Sequence, residues 1–382
     1  MAWEKVKLGD IAASVQTGPF GSQLHQSDYS EFGTPVVMPK DMIGGKILED
    51  SIARVEEQHV NRLSRHKVNV GDILYARRGD VGKCALVTEN EKGWLCGTGC
   101  LKVTIDFSKA NPKFVFYQLQ KPETVGWVEK HAVGATMLNL NTGILESIPI
   151  ELPKLNEQNK IVDILSAYDN LIENNQKQIK LLEEAAQRLY KQWFIDLRYP
   201  GHETTPIVDG IPQGWRKECL GNLVPILTGK KDANYGTADG KYPFFTCSQE
   251  PIKSPGYSFD TSAVILAGNG DFNVKLYRGK FEAYQRTYVL APKDKNYLYL
   301  VYNSVQGKMR ELFQGASGST IKFLTKGMIE SILIVIPSNL ILKKFNDLQD
   351  AIQKKIEVLK TSIICSVESR DRLLPKLMKN EI

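Results

Sequence analysis

Residues 136–153, TMLNLNTGILESIPIELP, align without gaps on residues 320–337, TIKFLTKGMIESILIVIP. Eight of the 18 positions are identical: Thr136/Thr320, Leu140/Leu324, Gly143/Gly327, Glu146/Glu330, Ser147/Ser331, Ile148/Ile332, Ile150/Ile334 and Pro153/Pro337. The offset is 184. A second match lies upstream. Trp3-Glu4-Lys5-Val6-Lys7-Leu8-Gly9-Asp10 recurs as Trp215-Arg216-Lys217-Glu218-Cys219-Leu220-Gly221-Asn222, at an offset of 212. Thr17-Gly18 and Thr228-Gly229 follow. The chain therefore reads as two copies of one unit, the second 28 residues shorter in its middle. A period on the order of 200 residues is too long for a solenoid, so this is a duplicated domain.

Working outward from the repeat, each copy has two parts. The first is rich in short β-type runs such as Thr34–Met38, Asp72–Ala76, Leu101–Ile105 and Ser262–Leu266, punctuated by Gly and Pro. Asn111-Pro112 reads as an N-cap with Pro at the first helical position, opening a helix over Lys113–Gln120. The second part is a long helix. After Pro153 a seam runs through Ile161, Leu165, Tyr168, Ile172, Asn175, Ile179, Leu182, Ala186, Leu189 and Trp193. Its spacing alternates four and three, the a/d pattern of a coiled coil. The 184 offset carries it to Phe345, Gln349, Ile352, Ile356, Leu359, Ile363, Ser366, Arg370, Leu373 and Leu377. Two helices on one template at one place in each repeat predict pairing with each other; two unrelated surface helices are the alternative. A lone seam Asn175 fixes register at some cost in stability. Pro375 is expected to kink or end the second helix near its last seam position, Leu377. Residues 195–214 hold three prolines and three glycines without helical period, and read as a linker.

The 382 residues carry 49 Lys+Arg and 43 Asp+Glu, a net charge of +6, with 42% hydrophobic residues. That is an ordinary globular composition, which excludes collagen-like, Cys-stapled and wholly disordered chains. The start lacks a secretory pattern, and the apolar run 331–342 is too short to span a bilayer and broken by Pro337. The expectation is a cytoplasmic protein without a membrane partner. The six cysteines form no C-x-x-C pair; Cys96 and Cys100 have no second pair at zinc spacing, so no metal site is expected.

Catalytic patterns are missing. Asn111-Pro112-Lys113-Phe114 approaches the [DNS]-P-P-[YFW] loop of amino-methyltransferases but lacks the second Pro. Gly79–Lys83 and Gly236–Lys241 do not fit a P-loop, and Gly97–Gly99 and Gly268–Gly270 lack the third Gly of a dinucleotide fingerprint. His25, His59, His66, His131 and His202 are scattered. No catalytic residue and no cofactor are assigned to this chain.

Charge is uneven. Residues 1–153 are net −1, 154–200 neutral, 201–337 net +4 and 338–382 net +3. Any nucleic-acid contact must therefore rest on local clusters. Arg62, Arg65, His66 and Lys67 form one. Arg77 and Arg78, after a strand and beside Gly79 and Lys83, form another that suits a phosphate or guanine. Gly18, Phe20, Ser22 and Gln23 form an exposed turn with a carboxamide suited to adenine. Lys40, Thr136 and Asn139 complete the candidate set in the first copy. In the second copy Asn269, Asn273 and Lys275 occupy the place of the Arg77–Lys83 loop, followed by Arg278, Gln285 and Arg286. Ser317, Ser319, Thr320 and Lys322 parallel the segment around Thr136. Solvated loop charge is the competing explanation for any one of them.

The pattern resembles the specificity subunit of type I restriction–modification systems. The resemblance covers the whole chain. It is carried by the Trp3/Trp215 and Leu8-Gly9/Leu220-Gly221 openings, Thr17–Ser22, the strands Ile148–Pro153 and Ile332–Pro337, and the Tyr199-Pro200-Gly201 and Ile211–Trp215 segments. It implies an α+β fold: two globular target recognition domains separated by an antiparallel coiled coil of two long helices, a pseudo-twofold internal repeat. The corresponding boundaries are 1–153 and 215–337 for the domains, 154–194 and 338–382 for the helices, and 195–214 for the linker. It implies a non-catalytic subunit that reads a bipartite, asymmetric site in double-stranded DNA. It also implies two methyltransferase subunits that use S-adenosylmethionine to methylate adenine N6, and motor–nuclease subunits that cleave unmodified DNA. A coiled-coil scaffold without a DNA role and an autonomous DNA methyltransferase are the alternatives. The helices would act as a spacer, about 57 Å for the 38 residues 157–194 at ~1.5 Å each.

Overall fold

The computed structural model describes residues 3–134, 138–316 and 322–378. The chain divides into two compact units, residues 1–172 with 364–382 and residues 173–363. Both mix helices and sheets.

The first unit contains β1 (Glu4–Lys7), α1 (Leu8–Ile11), β2 (Ala12–Thr17), β3 (Ile73–Ala76), β4 (Cys84–Leu86), β5 (Cys100–Ile105), α2 (Pro112–Leu119), α3 (Pro122–His131), α4 (Thr142–Glu146) and β6 (Pro149–Leu152). Its main sheet has the order β2-β5-β3-β4, all antiparallel. A second small sheet joins Leu95–Cys96, Thr34–Val37, Ala53–Val55 and Tyr29–Ser30. Side chains alternate across β3. Ile73 and Tyr75 enter the helix-covered core with Phe114, Val115 and Leu119, while Leu74 and Ala76 enter a second core with Val37, Met42 and Ala85. Period-2 geometry sends successive residues to opposite faces, and here both faces are covered, so β3 is buried throughout. As the sequence predicts, Asn111 caps α2: its Oδ1 accepts from the amides of Lys113 (2.9 Å) and Phe114 (3.3 Å).

The second unit contains β7 (Arg216–Cys219), α6 (Leu220–Leu223), β8 (Ile226–Thr228), β9 (Tyr242–Phe245), β10 (Ile252–Ser254), β11 (Phe259–Ala267), β12 (Val274–Ala283), β13 (Thr287–Leu290), α7 (Leu298–Gly315), α8 (Lys326–Glu330) and β14 (Leu333–Ile336). One six-stranded sheet runs β8-β13-β11-β12-β9-β10. The segments that match in sequence are hydrogen-bonded to each other in both units. Glu4 pairs with Leu152 and Lys7 with Pro149; Arg216 pairs with Ile336 and Cys219 with Leu333. Gly9 and Gly221 serve the same packing: a Cβ at either would stand 3.0 Å from the Cβ of Glu146 or Glu330.

Two long helices, α5 (Leu155–Tyr190) and α9 (Asn339–Leu377), contribute to both units. In the first, Ile161, Leu165, Leu377 and Met378 join the core, and Arg370 Nη1 donates to Asp169 Oδ1 at 3.0 Å. In the second, Asn175 Nδ2 donates to Ser362 Oγ (3.0 Å) and Gln349 Nε2 to the Ala186 carbonyl (3.2 Å). Asn175, Arg370 and the Gln349 amide nitrogen thus have partners, while Gln349 Oε1 is buried without one. Within each unit, rising numbers on α5 meet falling numbers on α9. Of the apolar seam residues, Ile161, Leu165, Ile172, Ile356, Leu359 and Leu377 are buried, and Tyr168, Ile179, Leu182, Leu189, Ile352, Ile363 and Leu373 are half-buried.

The structure differs from the sequence expectation at two places. Regular α5 stops at Tyr190 and continues as a π turn over Lys191–Ile195, which directs Trp193 and Phe194 into the second unit's core. Residues 195–214 are not a bare linker. Tyr199 is buried, 4.5 Å from the Trp215 ring, and Ile207–Val208 pairs with Ile211–Pro212 as a hairpin. At Pro375 the expectation holds: α9 ends two residues further on, at Leu377, its last seam position.

Candidate nucleic-acid interface

In the first unit, the ends of β2 and β3 and the start of β5 lie at one edge of the sheet, because β5 runs antiparallel to both. The backbone that leaves this edge is tightly fixed. Gly18 N donates to Cys100 O at 2.9 Å, and Arg77 N to Gly99 O at 2.8 Å. The Arg77 carbonyl accepts from Leu140 N at 2.8 Å, Gly79 N donates to Leu138 O at 3.1 Å, and Arg78 bridges Asn139. A Cβ at Gly18 would stand 1.9 Å from Gly97 O, so only glycine fits this crossing. The following turn closes when Gln23 Oε1 accepts from Phe20 N at 3.0 Å. That leaves Phe20 53% exposed, with the Arg77 guanidinium 5.8 Å from its ring centroid.

The edge therefore brings together Phe20, Ser22, Gln23, Arg77, Arg78, Lys83 and Asn139. Gly18 is buried and its amide is used internally, so it holds the loop and offers no donor. Lys40 is turned to the Ser51 carbonyl (3.3 Å) and Asp41 (3.7 Å). Thr136 lies outside the described residues.

The basic segment nearby is held from below. Lys102, 5% exposed, donates from Nζ to Lys67 O at 2.6 Å and Arg65 O at 3.4 Å, and lies 3.8 Å from buried Asp72. Asp72 also accepts from Thr104 Oγ1 at 2.6 Å and Asn69 N at 2.8 Å. His66 is buried; burial first, then Arg65 and Lys102, hold its pKa below the ordinary 6.5. Arg62 is paired with Asp28 at 3.3 Å. The sequence reading missed Lys102 and Asp72, because a single Lys inside a β-type run gives no signal of burial.

The second unit repeats the edge. Gly229 N donates to Thr287 O (3.2 Å), Gly268 N to Arg286 O (2.9 Å) and Leu324 N to Gly268 O (2.8 Å). Asn269 bridges Phe323. A Cβ at Gly229 would stand 1.8 Å from Ala283 O. Gln285 and Arg286 are exposed on the β12–β13 turn, and Gln285 N donates to Lys231 O at 3.0 Å. Lys231 stands 4.4 Å over the Tyr235 ring and Lys322 4.3 Å over Phe313. Lys231 and Tyr235 were not singled out from the sequence; the Thr17-Gly18/Thr228-Gly229 match would have found them, since they follow its second copy.

Three candidates already have partners within the unit. Asn273 Nδ2 donates to Cys247 O (3.1 Å) and Ser248 O (3.4 Å). Lys275 donates to Ser248 O (2.8 Å) and to the Asn273 carboxamide, and burial lowers its pKa. Arg278 donates to the Tyr299 hydroxyl (2.5 Å) and Asp350 Oδ1 (3.0 Å), tying β12 to α9. These residues stiffen the edge from behind. Ser317, Ser319 and Thr320 lie outside the described residues.

Cys84, Cys96 and Cys100 are buried, and burial pushes the first two thiols up to about 12. Among the described residues no group of three His, Cys, Asp or Glu is placed to hold a metal, and no helix is long and apolar enough to cross a membrane.

One backbone frame at the sheet edge thus recurs in the two units with different polar side chains. Comparison with known proteins gives the family. The sequence pattern of the type I restriction modification DNA specificity domain matches residues 2–184 and 212–367, and the chain belongs to this family. It is 38% identical over 171 residues to the type I restriction enzyme EcoDI specificity subunit of Escherichia coli, an alignment covering 44% of this chain and 36% of that protein. It is 26% identical to the MjaIX specificity subunit of Methanocaldococcus jannaschii, covering 100% of this chain and 93% of that protein. In fold it is similar to the crystal structure of the type I restriction–modification S subunit from M. genitalium, with a TM-score of 0.61 at 17% identity, covering 98% of this chain and 96% of that one.

Proposed function

We propose that this chain is the specificity subunit of a type I restriction–modification complex and reads a bipartite, asymmetric site in double-stranded DNA. One observation carries the reading: the two units present the same hydrogen-bonded edge, but Phe20, Gln23, Arg77 and Arg78 in one are replaced by Lys231, Asn269, Gln285 and Arg286 in the other. A shared frame with different side chains suits two half-sites of different sequence.

The chain serves as a non-catalytic, cytoplasmic subunit and binds no cofactor itself. S-adenosylmethionine belongs to the two methyltransferase subunits it recruits, and motor–nuclease subunits complete the complex. The long helices pair as an antiparallel coiled coil that relates the two copies in a pseudo-twofold arrangement. The Asn175–Ser362, Ala186–Gln349 and Asp169–Arg370 contacts support this pairing. Ile164, Leu171 and Leu181 on α5, and Leu348, Val358 and Ile364 on α9, are more than 40% exposed and suit partner helices.

Methylome sequencing of cells with and without this gene tests the reading. Loss of one bipartite N6-methyladenine motif is expected; an unchanged methylome overturns it.

A further inference from the structure

We propose that Arg77 and Arg286 are equivalent base-reading arginines, supplied in the two units from opposite members of the same backbone pair. The inference rests on the reading of these edges as the DNA-facing surface. In the first unit the pair is Arg77 N to Gly99 O, at 2.8 Å; in the second it is Gly268 N to Arg286 O, at 2.9 Å. The next bond fixes the equivalence. The carbonyl of Arg77 accepts from Leu140 N and that of Gly268 from Leu324 N, both at 2.8 Å. Leu140 and Leu324 are identical positions of the sequence repeat. Arg77 thus stands where Gly268 stands, and Gly99 where Arg286 stands.

Sterics explain why each pair holds one arginine and one glycine. A Cβ at Gly99 would meet Pro39 Cδ at 2.9 Å. A Cβ at Gly268 would meet Arg286 O at 2.4 Å and the Tyr288 ring at 3.0 Å. Only one member of each pair can carry a side chain, and the units make opposite choices. In both, the arginine is anchored by main-chain bonds at the rim of a rigid sheet. Neither forms an ion pair among the described residues, whereas Arg54, Arg62, Arg278 and Arg370 all do. The Arg77 Nε is buried without a hydrogen-bond partner, and its guanidinium lies against exposed Phe20. A guanidinium free of ion pairs and carried on a fixed backbone fits bidentate contact to guanine O6 and N7. Supply from opposite strands gives the two arginines different approach directions on one frame.

The test uses the full chain assembled with its methyltransferase subunits, in cells lacking cleavage activity. Methylomes are compared for wild type, Arg77→Ala, Arg286→Ala, Arg77→Lys and Arg286→Lys. The purified complexes are also titrated against duplexes with single-base changes. Arg77→Ala should lose discrimination at one base of one half-site, by about ten- to hundredfold, and Arg286→Ala at one base of the other. The Lys variants should lose it too, since an ammonium lacks the planar fork. Uniform weakening with an unchanged motif and rescue by Lys would mean phosphate contact and overturn the proposal. So would two variants altering the same half-site, or no effect. Because the anchoring bonds use main-chain atoms, the Lys variants are expected to fold, and co-purification with the partner subunits checks this. If wild type itself yields no bipartite motif, the functional reading fails as well. A wild-type motif that survives all four variants sinks only the arginine assignment.

Discussion

At the residue scale, the edges depend on glycines more than on charge. Gly18 and Gly229 lie where two backbones nearly touch, and a methyl group at either has no room. Gly18→Ala should destabilise the first unit by about 1–3 kcal/mol, as overpacking does, with little effect on the second. Hydrogen-exchange protection of β2 and β5 against that of β8 and β13 measures this. His66 adds a pH dependence. Its native pKa is depressed by burial, so below the unfolded value of 6.5 the unfolded chain binds the proton more readily. The first unit's stability should be complete above that pH and fall between 6.5 and the lower native value. Melting curves from pH 7.5 to 5 should show the loss, and His66→Gln should flatten it.

At the element scale, the long helices link sequence period to spacing. The alternating seam was legible because four-and-three spacing puts apolar residues on one face of a helix, and these positions are buried or half-buried. The exit from α5 was not legible. Trp193 keeps its seam place, with its ring 5.9 Å from Phe345, the first seam position of α9, but the π turn at 191–195 adds Phe194, whose ring lies 4.8 Å from Phe345. The period carries no sign of the extra residue that a π turn takes up. If the helices set the distance between half-sites, inserting one heptad into both should lengthen the DNA spacer by ~10 Å, or ~3 bp. Methylome motifs read this directly, and an unchanged spacer would end the ruler idea.

At the scale of the molecule, the repeat was the most legible feature, since the matched segments are those that pair as β1–β6 and β7–β14. The site was half legible. Arg77, Arg78, Phe20 and Arg286 lie on the edges, whereas Asn273, Lys275 and Arg278 are already bonded to Ser248, Tyr299 and Asp350. A loop sequence shows which groups are polar but not which already have partners. Replacing residues 1–153 with another such domain should change one half-site and keep the other. Both halves changing would contradict independent readout.

The two units also differ in when they can close. Residues 173–363 form the second unit as one continuous stretch, while the first draws on residues 364–382, and Leu377 and Met378 sit in its core. A ribosome makes the chain in order, so the segment that begins first is finished last. The first unit stays incomplete until the second has been synthesised. A chain cut short before Leu377 would therefore damage the domain at its opposite end.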